Sequence, residues 1–469
     1  MRNHKLEQAV GTVLREGLAA NAPDVWPEVA ARVRAAGSSG SGEPCAARPK
    51  RRLLKVCAAA AAAVVCAAGV WKLSGVLPAV EARAETVYDG GGRLSGDTAE
   101  APSQSFTEAY NTFGLNLLRQ TVGENASKNV FQSPASVYLA LGMTYNGAKG
   151  ETASEFARVL GGTGGLDGFN KGCAGLQGLL TGKFRLANSI WLNSPYAGAI
   201  DKSFLARDKT YFGASVTTLD LSSAAAPKLI SGWVEKNTDG RIHPKFQSFD
   251  ASTVMLLVNT VTFRSDWEQK FQAANTQTGT FQTPSGAENA EFMHGMRAHY
   301  AEDETAQKIL LPYDDGKTSL LVLLPKGELN GMLSGLTAQR LAAYTAECKN
   351  SRETAALSLP RVRFGTDAML NGPLQAMGLR SAFGENADFS GMTSGGDSPY
   401  LSYVRHMTYL AIDENGTEAA AATAAAIDSS GSRPDHVMKV NRPFFAAIVN
   451  TETGAALFEG VVNDPSVSG

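Results

Sequence analysis

A nearly pure alanine run limits what residues 411–445 can become. A Gly-Thr-Glu start leads into eight residues, Ala419 to Ala426, of which seven are alanine and one is Thr423. Alanine is the best intrinsic helix former, so in isolation the run suggests a short helix. It offers no amphipathic face to bury, however, and an isolated helix this short is marginal in water. The alternative is a strand that must fit a tight, already packed place, and alternation supports it. Thr417, Ala419, Ala421, Thr423, Ala425 and Ile427 would share one face, small and mostly apolar. Glu418, Ala420, Ala422, Ala424, Ala426 and Asp428 would share the other, with charges only at its ends.

The 469-residue chain is long enough for one large domain and something extra. With 43 basic against 45 acidic residues, nothing points to nucleic acid or to an acidic partner. Charged residues make up 19%, below the roughly 25% usual in soluble domains, which fits an additional apolar segment. Three of the five cysteines, Cys45, Cys57 and Cys66, lie in the N-terminal part, leaving Cys173 and Cys348 in the large domain. This sparse, odd set without C-x-x-C spacing excludes a disulfide framework and a zinc site from the reading.

Val56 to Val80 is apolar or small apart from Lys72, and roughly 20 such residues span a bilayer core as a helix. Arg48, Lys50, Arg51, Arg52 and Lys55 crowd its N-terminal flank, whereas Lys72 and Arg83 are the only basic residues near the other end. The positive-inside rule then places residues 1–52 in the cytoplasm, a transmembrane helix over 53–80, a linker over 81–104 and a domain over 105–469 outside. Ala82-Arg83-Ala84 has the small-x-small form of a signal-peptidase site, so release after Ala84 is the competing expectation. Gly37 to Gly42 reads as a flexible linker and Ser95 to Ser105 as a tether.

No G-x-S-x-G, H-E-x-x-H, P-loop or dinucleotide-binding glycine pattern occurs, and no cofactor is implied. The six histidines are scattered; His294 and His299 are five apart, off the spacing that would put them on one helical face. Neither a catalytic set nor a metal site can be read from these residues.

The alanine run and its flanks closely resemble the hinge and reactive-centre loop of the serpins. The family pattern is met by Glu414, Gly416, Thr417, Glu418, Ala419, Ala420, Ala421 and Ala422. Upstream, NVFQSPASVYLALGMTYNGAKGET from Asn129 resembles the family's helix B segment, with Ser133, Pro134 and Ser136 in place. LVNTVTFRSDWEQKF from Leu257 is similar to the strand carrying the family's Asn and Trp, here Asn259 and Trp267. ILLPYDDGKTSLLVLLPK, LSLPRVRF, LQAMGLRSAFGENADFSGM and VNRPFFAAIVNTETGAALFEGVVNDP come next in family order, so the resemblance covers about 360 residues. It departs at Arg264-Ser265, where Lys-Gly is usual, and at Met407, where Lys is usual.

The resemblance implies an α+β fold with three β-sheets, eight to nine helices and an exposed reactive loop. It implies an inhibitor rather than an enzyme. The partner is a serine protease, with a cysteine protease as the alternative, which attacks a loop bond and is held as an acyl-enzyme. The cut loop then inserts as a new central strand of a large antiparallel sheet. About 15 inserted residues at roughly 3.3 Å each would carry the protease on the order of 50 Å. Small side chains suit this, because overpacking an existing interior costs roughly 1–3 kcal/mol per bulky intrusion. Ser133, Ser136, Asn259 and His406 match the family's shutter, a polar cluster beneath the point where the sheet opens. For His406 taken alone, a satisfied core histidine is the plainer reading. Trp267 matches the breach tryptophan under the top of the sheet.

Counting seventeen residues from Glu414 puts the scissile bond between Ser430 and Gly431, whereas counting back from Asn441 gives Ser432 and Arg433. Small residues there suit elastase-like or subtilisin-like pockets, and Pro434 argues against cleavage after Arg433. Asn415-Gly416-Thr417 is a glycosylation sequon by form only, since a glycan there would block insertion. The expectation is a monomeric, membrane-tethered inhibitor of extracytoplasmic serine proteases. The other reading is a non-inhibitory serpin-fold binding or scaffold protein at the cell surface.

Overall fold

The computed structural model describes residues 85–88, 100–124, 127–161, 164–213, 215–250, 253–394, 399–417 and 433–467. The span expected over 53–80, Ala84, and loop residues 418–432 lie outside these. Among the described residues no helix is long and apolar enough to cross a membrane.

Helices come first along the chain, and strands dominate afterwards. Helix α1 is Gln104–Glu124, α2 Pro134–Tyr145, α3 Gly150–Leu160, α4 Gly165–Leu179, α5 Lys202–Phe212 and α6 Ala226–Asn237. Helices α7 (Leu329–Gly335), α8 (Ala338–Asn350) and α9 (Asn371–Ala376) complete nine among the described residues. Helix α2 begins at Ser133, whose hydroxyl accepts the Ser136 N–H, and Pro134 occupies its first turn. Apart from Tyr145, every residue of α2 is buried, so it is apolar all round and runs through the centre of the molecule. Tyr138 on α2 sits edge-on to Tyr110 and Phe113 of α1, with ring centroids 5.4 and 5.2 Å away.

Among the described residues the strands form three sheets of eight, six and four strands. In the largest, β1 (Glu85–Tyr88) pairs with β4 (Ser215–Leu219), and β3 (Phe184–Asn193), β5 (Met255–Phe263) and β14 (Leu401–Ile412) come next in the sheet. Strand β13 (Val362–Met369) flanks β14, and two short strands, β6 (Ser265–Asp266) and β15 (Gly416–Thr417), close the top. Strand β1 falls within the stretch expected as a linker, where it forms the sheet edge.

The expectation of an antiparallel sheet is corrected at two ladders. Strands β3 and β4 run parallel, as the α5 crossover between them requires, and β5 and β14 run parallel although about 140 residues separate them. Met407 turns to the far face of this sheet, among Trp191, Leu256 and Val258 under α6.

The six-stranded sheet has the order β2 (Val130–Gln132), β18 (Ala456–Val462), β17 (Phe444–Asn450), β11 (Thr318–Pro325), β10 (Ala306–Pro312) and β9 (Tyr300–Glu302). Its strands read as near-continuous apolar runs because both faces are covered. One face packs on α1 and α8 through Leu118, Leu321, Leu341 and Phe445. The four-stranded sheet joins β16 (His436–Lys439), β12 (Ala355–Pro360), β8 (Gly286–Arg297) and β7 (Gln277–Thr283). Both thiols of the domain are buried and unreactive; burial pushes Cys348 up to about 12 and Cys173 well above the usual thiol range.

Candidate functional site: the hinge and the seam of the large sheet

The site lies where β5 and β14 run side by side. Their ladder holds six registered pairs, from Leu401 opposite Met255 to Met407 opposite Thr260. It ends there. Above it the two strands part, and β15 enters between them from the top. Gly416 pairs with Asp266 and Thr417 with Ser265 on one side, and Thr417 with Ile412 on the other. Thr417 therefore already lies in the sheet of the uncut chain.

A tight turn makes this entry possible. The Asp413 carboxylate accepts the N–H groups of Asn415 (2.8 Å) and Gly416 (3.3 Å), and its own N–H donates to Gly416 O (3.0 Å). Only glycine fits at 416, since a Cβ would stand 2.0 Å from Ser265 O. Asn415 is half-buried within the turn, which leaves its sequon structurally unsuited to a glycan.

Trp267 clasps the same turn from beside. Its indole N–H donates to Asp413 O (2.8 Å), its backbone N–H to Asn415 O (2.7 Å), and Phe271 N–H to Glu414 O (2.9 Å). The Trp267 ring stacks on Tyr313, centroids 4.6 Å apart and 11° from parallel. The Tyr313 hydroxyl in turn meets Thr417 Oγ1 at 2.5 Å, with Thr417 only 1% exposed. The hinge threonine is thus seated on a fully buried phenol.

Glu414 is held as firmly. Arg361 Nε and its Nη2 donate to the carboxylate at 2.9 and 2.6 Å, and the Thr276 hydroxyl adds a third donor. Partial burial pushes this carboxyl up, but Arg361 and Thr276 outweigh it and hold it below the usual glutamate range.

Lower down the seam, Ser133, Ser136, Asn259 and His406 come together as one cluster. His406 and Asn259 are direct partners across the β14–β5 ladder. The Ser133 N–H donates to His406 Nε2 at 3.0 Å, so the ring proton resides on Nδ1, which donates to Asn259 Oδ1 at 2.9 Å. Asn259 Oδ1 also accepts from the Ser136 hydroxyl, while its amide nitrogen donates to Ser136 O (2.6 Å) and Asn188 Oδ1 (2.5 Å). Burial drives the imidazole down to about 3, so it is neutral in the folded chain. The histidine is satisfied, yet its Nδ1 bond spans the seam that a new strand would have to open.

Of the proposed cleavage residues, Ser430, Gly431 and Ser432 lie outside the described residues, as do Glu418 and Ala419 to Ala422. Arg433 is exposed. Just beyond it, Asp435 accepts the N–H and hydroxyl of Thr354, and β16 pairs parallel to β12, anchoring the far end of the loop.

Arg361, Thr276, Tyr313 and Asn188 join the site without any sign of it in the sequence. Arg361 and Tyr313 lie inside the segments LSLPRVRF and ILLPYDDG, but nothing in their local pattern shows that they face the hinge. Their partners are 53 and 104 residues away.

Comparison with known proteins gives the same picture. The family model described as "Serpin (serine protease inhibitor)" matches residues 108–465. An uncharacterised serpin-like protein of Thermococcus kodakarensis is 31% identical over 380 residues, covering 78% of this chain and 87% of that one. Serpin B6 of Macaca fascicularis is 33% identical over 381 residues, covering 76% and 99%. Among solved structures, the thermophilic serpin tengpin in its native state matches with a TM-score of 0.74 at 27% identity, over 81% of this chain and 100% of that one. Human thyroxine-binding globulin complexed with thyroxine matches with a TM-score of 0.69 at 26% identity, over 77% and 99%. Serpins are generally protease inhibitors that form covalent complexes with serine proteases, and they are not enzymes. On the extent of the family match and of these relatives, the chain belongs to the serpin family.

Proposed function

We propose that this chain is an inhibitory serpin that traps extracytoplasmic serine proteases with elastase-like or subtilisin-like pockets. The observation that carries this reading is the seated Thr417, succeeded in sequence by a run with no charged, bulky or proline residue from Ala419 to Ala426. Entry has begun at Thr417, and the alanines behind it are small enough to continue it. The non-inhibitory reading has a structural neighbour in thyroxine-binding globulin, but the alanine run favours trapping. Placement outside the cytoplasm rests on the basic cluster from Arg48 to Lys55.

Intact cells displaying the full chain, treated with elastase-like and subtilisin-like proteases, test both parts. A covalent complex stable to denaturing electrophoresis is the expected result, on intact cells and after detergent solubilisation alike. A complex seen only after solubilisation would refute the outside placement. Loop cleavage without a complex in either sample would refute inhibition.

The two ladders at Thr417 also set a register for the incoming strand. Continued antiparallel from Thr417 opposite Ser265 and Ile412, they bring Thr423 opposite both Asn259 and His406. The only hydroxyl of the run then arrives where the His406–Asn259 bond has parted, and it can both donate and accept there. Thr423→Val should therefore lengthen the time to a stable complex several-fold while leaving initial protease binding unchanged. An unaltered trapping rate would mean that the inserted strand takes another register.

A further inference from the structure

Glu459 on β18 and Gln132 on β2 stand directly opposite each other in the ladder between those strands. Both are buried, Glu459 at 0% and Gln132 at 2% exposure. The Gln132 amide nitrogen donates to Gly114 O (3.0 Å) on α1 and to Glu459 Oε1 (3.3 Å). Gln132 Oε1 has no partner, and neither does Glu459 Oε2. Gly114 keeps the space open, since a Cβ there would lie 2.9 Å from Glu459 Oε1.

An ionised carboxylate only accepts hydrogen bonds, so this pair with Glu459 charged would bury two unsatisfied acceptors on adjoining side chains. One proton resolves both. A protonated Glu459 carries an O–H donor, and the amide oxygen opposite it is the orphaned acceptor. We propose that Glu459 is held protonated in the folded chain, and that the resulting acid–amide pair is a proton-linked latch between β2 and β18 behind the seam.

The surroundings supply little to stabilise a charge. From α1, Arg119 directs its guanidinium to the carbonyls of Leu333 and Leu336 and to Asn116 Oδ1. Tyr110, also on α1, donates its hydroxyl to Ala456 O, and Tyr138 of α2 packs behind it. Among the described residues no salt bridge reaches Glu459. Burial pushes its carboxyl up to about 8, against a partial pull downwards from the Gln132 hydrogen bond and the more distant Arg119. The latch adjoins the polar cluster of the seam. Ser133 is the residue after Gln132, and its hydroxyl donates to Leu457 O (2.8 Å), two residues before Glu459.

Above the ordinary glutamate value of 4.5 the unfolded chain has lost this proton, whereas the folded chain keeps it to about 8. Stability conferred by the latch therefore falls as pH rises through this window and levels off beyond it. His406 acts oppositely and lower: buried neutral, it is destabilising as pH falls from 6.5 toward about 3. Between pH 6.5 and 8 His406 adds little, and the fully buried Asp208 carboxyl, which burial also pushes up, is common to any Glu459 variant.

Urea unfolding of the full chain and of its Glu459→Gln variant over pH 6.5 to 8 tests this. Over this interval the unfolding constant of the parent's first transition should change about fifteenfold more than the variant's, most steeply at the lower end. Equal pH dependence in the two proteins would overturn the proposal. Should Glu459→Gln not fold, Glu459→Met fills the same site and serves the same comparison. Infrared difference spectra of the parent give an independent reading. A protonated-carboxyl carbonyl band that Glu459→Gln lacks should be present at pH 6 and lost by pH 9, the buried Asp208 carboxyl being common to both proteins; its absence at pH 6 would overturn the proposal. Neither measurement depends on loop cleavage, so it can fail while inhibition stands.

Discussion

Thr417→Arg is expected to turn the inhibitor into a substrate. The side chain at this position is 1% exposed, and its hydroxyl lies 2.5 Å from that of the fully buried Tyr313. An arginine there must either bury an unpaired charge, costing several kcal/mol, or withdraw the hinge from the sheet. A barrier higher by about 3 kcal/mol slows insertion roughly 100-fold, enough for deacylation to overtake it. Protease binding should survive, since the cleavage residues lie more than ten positions further along the chain. Incubation with an elastase-like enzyme should then yield chain cut after Ser430 or Ser432 and no stable complex. Because Thr417 is seated before any cut, the uncut variant should also show altered fluorescence from Trp267, which stacks on Tyr313. Glu418→Arg, on the opposite strand face by alternation, should be much milder. If both variants trapped protease as well as the parent, strand insertion of Gly416 to Ile427 would be wrong.

Cleavage within Ser429 to Arg433 is expected to raise the thermal midpoint sharply. The seam is one parallel ladder of six pairs, and an inserted strand replaces it with two antiparallel ladders, each slightly stronger per residue. With about 15 residues gaining hydrogen-bonded partners at a net value of roughly 0.5–1.5 kcal/mol each, the gain is on the order of 10 kcal/mol. That corresponds to roughly 10–15 °C in the midpoint of a domain this large. Differential scanning calorimetry on uncut and verified cut protein measures it. An unchanged midpoint after complete cleavage would show that the loop does not insert and would favour the non-inhibitory reading.

Much of this architecture is legible in the sequence because it is carried by contiguous segments. Among the described residues the three sheets and nine helices agree with the fold implied by the ordered motifs, and the small-residue alternation after Gly416 is local by nature. The polar cluster of Ser133, Ser136, Asn259 and His406 is recoverable for another reason: each member lies in its own recognisable segment. Contacts that only packing creates are not recoverable. Arg361 reaches Glu414 because β12 and β13 pass beside the turn, and Tyr313 reaches Thr417 because β10 ends beneath it. The parallel direction of β5 and β14 is hidden likewise, since hydrophobic patterning fixes which face is buried and not which way a partner runs. The seated hinge depends on a turn built from the Asp413 side chain, a reversal whose direction the alanine run does not reveal.

The unequal pairing along β5 and β14 divides any insertion into two laps. From Thr417 down to Val261 and Thr408 the gap stands ready, and an entering residue meets strands that no ladder yet joins to each other. At Thr260 and Met407 that changes, because each further step must first unzip a registered pair, and the second to yield is the hydrogen-bonded His406 and Asn259. The tethered protease would thus travel its first stretch quickly and then wait at a checkpoint. Hydrolysis of the acyl bond competes chiefly during that wait. The commitment step lies partway down the sheet, and residues at the seam, rather than those at the scissile bond, decide whether a captured enzyme escapes.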